Sequence, residues 1–147
     1  MQRILEGFRS VLDVAPGRLA LIPEAESARV PAPAKWSKKQ ILGHLIDSAS
    51  NNHQRFVRAQ LDSPLHFPAY AQEFWVSAQN YQAESWCDLI DCWTSYNRHL
   101  LHVMAHIPAD RLANRCVIGE GSPVTLEFLA EDYVRHLEHH LRQILGE

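Results

Sequence analysis

Apolar residues recur at helical spacing in four stretches of the chain, separated by segments rich in proline, glycine and small residues. In residues 2–13, Ile4, Leu5, Phe8, Val11 and Leu12 share a face. Pro16 and Gly17 interrupt this first helix, leaving Leu19 to Ile22 as a last helical turn before Pro23. The connection that follows carries Pro23, Pro31 and Pro33 and is long enough to cross the length of a bundle. Ser37 opens the second helix, with Gln40 placed to complete a capping box, and the helix runs to about Leu61. Its apolar stripe is Ile41, Leu45, Ala49 and Phe56, widened by Leu42, Ile46 and Val57. Ser85 caps the third helix, Trp86 to about Ile107, whose stripe is Trp86, Leu89, Ile90, Trp93, Leu100, Met104 and Ile107. The fourth helix, about Thr125 to Leu145, ends at Gly146 and buries Leu126, Leu129, Ala130, Tyr133, Leu137 and Ile144. Few strand signals appear, beyond a possible short hairpin around VIGEGSPVT. The pattern predicts an all-α, antiparallel four-helix bundle with a long crossover connection, one domain over residues 1–147.

Several polar residues break these stripes. On the second helix His44, Asp47, Ser48, Asn51 and Arg55 form a polar stripe beside the apolar one. That stripe is either a solvated flank or an edge turned into a polar cleft. Asn97 falls inside the apolar stripe of the third helix and needs partners, which the same cleft would offer. His140 lies in the middle of the fourth helix's apolar stripe, His136 at its edge, and His139 points outward. His99, His102 and His106 project opposite the core of the third helix and are expected to face solvent. Residues 62–84, with Phe67, Tyr70, Phe74, Trp75 and Tyr81, read as an irregular segment folded over one end of the bundle, its aromatics plugging the core or walling a pocket.

Composition narrows the function classes. Apolar residues make up 46% of 147 residues, enough for a core without disulfides or a structural metal. The net charge of -3 is spread without a basic block, which argues against nucleic acid as partner. No apolar run is long enough to span a membrane, and the charged start MQRILEGFRS lacks a signal-peptide core. Three cysteines without metal-type spacing fit reduced thiols, so the expected location is the cytoplasm.

Nine histidines are the compositional excess. His136 and His140 are four apart, so on a helix two imidazoles can grip one ion. His44 offers a third imidazole from another helix, leaving a coordination position open, as in catalytic rather than structural zinc sites. Imidazole suits zinc, nickel, iron or copper, with zinc and nickel favoured. The bland alternative is that these rings satisfy one another or a water.

The stretch WSKKQILGHLIDSASNNHQRF resembles the first metal-binding helix of the DinB-like superfamily, which includes the YfiT group. Trp36, Ser37, His44, Leu45, Asp47, Asn51 and Arg55 match that pattern. HLEHHLRQI resembles its closing helix through His136, His139, His140, Gln143 and Ile144. YAQEFW, from Tyr70 to Trp75, is loosely similar to a segment near the site in the YfiT group, with Gln72 and Glu73 departing from its acidic pair. The resemblance implies a four-helix bundle, commonly a homodimer, with a divalent metal in a cleft at one end held by His44, His136 and His140. Some relatives transfer small thiols such as bacillithiol or mycothiol, and others resemble hydrolases or isomerases. On this basis the expected function is a metal-dependent enzyme on a small molecule, with thiol S-transfer first and hydrolysis second. Arg55, Asn51, Tyr70 and Trp75 are the candidate substrate contacts, and Asp47 is the candidate catalytic carboxylate, either as a proton acceptor or as a hydrogen-bond acceptor for a ligand histidine. A non-catalytic metal- or ligand-binding dimer and a purely structural bundle are the competing classes.

Overall fold

The computed structural model describes residues 1–147. Four long helices carry the fold: α1 (Gln2–Ala20), α3 (Lys38–Arg58), α5 (Trp86–Ala105) and α6 (Leu126–Leu145). Two short ones, α2 (Glu24–Ser27) and α4 (Gln72–Ala78), lie in the connections. Helices α1 and α3 each pack against both α5 and α6. The long connection thus lets two consecutive helices sit apart while sharing the same neighbours.

The local signals act as expected at most helix starts. Ser37 Oγ accepts from the Gln40 backbone N–H at 3.2 Å, and Gln40 Oε1 accepts from the Ser37 N–H at 2.9 Å. Ser85 and Thr125 cap α5 and α6 through Asp88 and Phe128 N–H. At the end of α6, Gly146 adopts φ 79°, the left-handed conformation that glycine takes without strain.

Pro16 does not end the first helix, contrary to expectation. It lies inside α1, where a proline costs about 3 kcal/mol. Leu19 continues the buried face of Phe8, Leu12 and Ala15 beyond it, and burying one leucine returns about 2 kcal/mol. The Trp86 indole N–H then donates to the Leu19 carbonyl at 3.1 Å, satisfying an acceptor at the helix end.

Phe8, Leu12, Phe56, Trp93, Leu100 and Leu137 fill the core at full or nearly full burial. Val57, read as widening the α3 stripe, is instead 49% exposed, because the helix rotates its polar face inward towards α6. Asn97 is fully buried, as its position in the stripe predicts, but it does not reach the cleft. Its amide donates to the Trp93 carbonyl at 2.8 Å and its oxygen accepts from the Tyr133 hydroxyl, so the core satisfies it internally.

The segment after α3 is more ordered than the sequence suggests. It contains strand β1 (Leu65–Phe67), helix α4 and a 3₁₀ turn at Tyr81–Ala83. The hairpin forms from β2 (Arg115–Ile118) and β3 (Val124–Thr125). Strand β1 adds to β2 in parallel, Leu65 opposite Cys116 and Phe67 opposite Ile118, giving a three-stranded sheet that pattern alone did not reveal. Of the aromatics in 62–84, Tyr81 is buried while Phe74 is 69% exposed, so the segment covers more than it plugs. No helix is long and apolar enough to cross a membrane.

Candidate metal centre

The polar stripe of α3 is not a solvated flank. His44 and Asp47 are 1% and 2% exposed, and Ser48, Asn51, Asn52 and Arg55 are buried with them. Helix α3 turns this stripe towards α6, where His136 and His140 lie one turn apart. The three imidazoles converge: one nitrogen from each of His44, His136 and His140 lies within 4.8 Å of the others. The Nε2 atoms of His44 and His136 are 3.2 Å apart. His44 is the deepest ring; His136 and His140 are half-buried, so His140 sits nearer the mouth than its central wheel position implied.

Second contacts orient these rings. Trp36 packs against His44 with ring centroids 5.2 Å apart. Nδ1 of His140 lies 2.8 Å from Gln143 Oε1, to which it donates, so the lone pair sits on Nε2. Gln143 in turn meets His139 through its amide nitrogen at 3.0 Å, which gives the outward histidine an orienting role. Nδ1 of His44 is buried without a partner. Burial, then the neighbouring imidazoles, push His44 and His136 down to about 4, and burial lowers His140 as well. All three are therefore neutral at physiological pH, the state in which imidazole offers a lone pair to an ion.

Two nitrogens held about 2.0–2.1 Å from one tetrahedral ion lie about 3.3 Å from each other. The His44–His136 separation fits that edge. The donor set, three neutral imidazoles with one side less buried, suits a borderline-soft divalent ion.

Asp47 makes no hydrogen bond to any of the three rings, so it does not orient a ligand imidazole. Its Oδ1 instead accepts from Tyr81 Oη at 2.6 Å and Gln79 Nε2 at 2.5 Å, while Oδ2 is buried and unpartnered. Burial raises its pKa, and the two donors oppose that. Tyr81 reaches Asp47 by lying across Gly43, where any side chain would collide with its ring. The mid-helix glycine was the available sequence signal for this close approach; Gln79 and Tyr81 themselves gave none.

The candidate substrate contacts divide between two spaces. Arg55 and Tyr70 line a cavity of about 260 Å³ together with Ser48, Asn52, Asp132 and His136. Asn51 and Trp75 line an adjoining groove of about 540 Å³, into which Tyr70 also faces. Tyr70 borders both spaces, and its ring lies 5.1 Å from that of Trp75. Asn51 turns its amide back to the Asp47 carbonyl at 2.9 Å. Asn52 and Asp132 escaped the sequence reading, although each is a helical turn from a residue it singled out. The surface set His99, His102 and His106 is exposed as expected, and His53 joins it with its ring 5.1 Å from His99.

Comparison with known proteins agrees with this architecture. No curated protein matches the chain. The fold is shared with YfiT from Bacillus subtilis, described as a probable metal-dependent hydrolase with an unusual four-helix bundle topology. The TM-score is 0.81 at 17% identity, over 97% of this chain and 84% of that one. The mycothiol-dependent maleylpyruvate isomerase matches with TM-score 0.79 at 13% identity, over 97% of this chain but only 60% of that one. A DinB-like protein from Bacillus subtilis matches with TM-score 0.70 at 17% identity, over 98% and 87%. The family profile of the DinB superfamily spans residues 8–144, and the chain belongs to that superfamily.

Proposed function

We propose that the protein is a metal-dependent enzyme acting on a small molecule, with His44, His136 and His140 as the ligands of one divalent ion. The observation that carries this reading is the convergence of three neutral imidazoles from two helices, within 4.8 Å of one another and less buried on one side. The ion, zinc or nickel, would supply Lewis acidity that favours the thiolate form of a thiol or the hydroxide form of water. The chain's own residues do the rest. Gln143 holds His140 in the tautomer that presents Nε2. Arg55, Asn51, Tyr70 and Trp75 border the space in which a substrate would lie. Asp47 keeps one buried carboxylate oxygen free and is the candidate proton acceptor.

Thiol transfer from a low-molecular-weight thiol to an electrophile is the favoured reaction, and likeness in fold to a mycothiol-dependent enzyme supports it. Hydrolysis is the second reading, favoured by likeness to a protein described as a probable metal-dependent hydrolase. The proposal takes the chain as a single antiparallel domain with a long crossover, acting as a homodimer in the cytoplasm.

Elemental analysis of untagged protein tests the reading first. Wild type is expected to carry about one ion per chain, and His140→Ala to lose most of it. Wild type with no bound ion, after incubation with zinc or nickel, would end the proposal. A metal-loaded protein is then assayed with a thiol plus an electrophile, and separately with esters and amides in water. Turnover in one panel assigns the reaction, and metal uptake without turnover in either favours a non-catalytic binding module.

A further inference from the structure

Arg55 is a buried cation with no ion pair. The residue is 9% exposed, and its Nε has no hydrogen-bond partner. Its nearest acceptor is Asn52 Oδ1, at a long 3.4 Å. The guanidinium lies over the Phe67 ring, 5.4 Å from its centroid, which covers one face and leaves Nε uncommitted. Burial depresses its pKa, and Tyr70, Cys116 and Asp132 oppose that. A methionine would fill the same volume with no charge to desolvate, so packing alone does not account for an arginine here.

Its position supplies the reason. Arg55 borders the 260 Å³ cavity that also contains His136. His44, Ser48, Asn52 and Arg55 follow one another down one face of α3. His44 and Arg55 are eleven residues apart, about 16 Å along the axis at 1.5 Å per residue. The guanidinium reaches back one turn to Asn52, and the cavity it borders extends from there to His136.

We propose that Arg55 is the carboxylate anchor of the substrate pocket, and that the substrate is an elongated monocarboxylate whose reacting group lies several carbons away, beside the three histidines. The planar fork of the guanidinium matches a carboxylate edge to edge. Asn52 and the Tyr70 hydroxyl border the same space and can share its oxygens. A single cation with the Asp132 carboxylate in the same lining suits one negative charge, and a phosphate dianion would meet repulsion there. The inference rests on the metal-site reading only for where the far end of the substrate lies; the anchor stands without it.

Calorimetric titration of the full chain with hexanoate and with hexanamide tests the anchor on metal-free protein. Mercaptohexanoate against mercaptohexanol repeats the comparison on metal-loaded protein. Wild type is expected to prefer the carboxylate of each pair by about 10- to 100-fold. Arg55→Met is expected to lose that preference while melting no lower than wild type and keeping its metal content. Arg55→Lys, which retains charge but not the fork, is expected to keep only part of it. Equal affinity of wild type for acid and amide overturns the inference, as does an Arg55→Met protein that keeps the preference. Metal content is measured on the same samples. A protein that takes up no ion yet prefers hexanoate keeps the anchor and refutes the metal centre. One that holds an ion but ignores the carboxylate does the reverse.

Discussion

Replacing Gly43 by alanine should destabilise the protein even though alanine is the better helix former. A Cβ built on Gly43 would lie 2.1, 2.3 and 2.7 Å from Cδ2, Cγ and Cε2 of Tyr81. These are atoms of a rigid ring near its own backbone, not the end of a flexible chain, so the 3₁₀ turn carrying Tyr81 must move. Overpacking of this kind costs about 1–3 kcal/mol. Moving Tyr81 also breaks its 2.6 Å bond to Asp47, and a hydrogen bond to a charged group is worth about 1.5–3 kcal/mol. Alanine's higher helix propensity returns about 1 kcal/mol. The net loss is roughly 1.5–5 kcal/mol, or a fall in Tm of about 5–20 °C for a chain of this length. Gly7 and Gly17 provide the control, since nothing lies within 4 Å of a Cβ at either position. Both lie in α1, and alanine there should raise stability by about 0.5–1 kcal/mol. Urea unfolding of the three single variants measures all of this. The reasoning fails if Gly43→Ala is as stable as wild type, or if the three variants shift in the same direction.

Further expectations concern charge, polarity and the surface histidines. His44 and His136, held down to about 4, bind protons in the unfolded chain from about 6.5 but not in the native one, so metal-free protein should lose stability as pH falls through that window. For His44 the loss is on the order of 3 kcal/mol; Asp47, raised by burial, acts in the opposite direction, and unfolding in EDTA at pH 7.5 and 5 that gives the same midpoint would contradict the assignment. Tyr133→Phe leaves the buried Asn97 oxygen without its donor and should cost about 1–3 kcal/mol in urea unfolding, with metal content unchanged. His102→Ala should leave the metal-to-protein ratio of untagged protein at the wild-type value; a fall to that of His140→Ala would place an ion on the α5 surface.

The helices were legible because their information is local. Period, the Ser37–Gln40 box and the Gly146 stop each act within a few residues, and α3, α5 and α6 lie close to where these signals put them. Proline at position 16 misled because its cost is local while the burial and the Trp86 hydrogen bond that offset it are tertiary. The same distinction governs the site. His44 could be placed on a polar edge from spacing, but whether that edge met water or α6 depends on how α3 rotates against its neighbours. Val57 shows the outcome: it left the stripe as the polar face turned in. The pairing of β1 with β2, and the reach of Tyr81 and Gln79 to Asp47, join segments far apart in sequence and leave no periodic trace.

The small sheet also bears on access to the pocket. Strand β1 is three residues long and leads directly into Pro68, Ala69 and Tyr70, while its Phe67 ring covers Arg55. Its only ladder is to β2, itself held on its other side by the two residues of β3. Unzipping that brief ladder would swing Phe67 and Tyr70 away together, baring the guanidinium while all four long helices stayed intact. Amide hydrogen exchange is expected to be faster across Leu65–Phe67 than in α3, with the buried Leu65 side chain holding the start of the strand to the core.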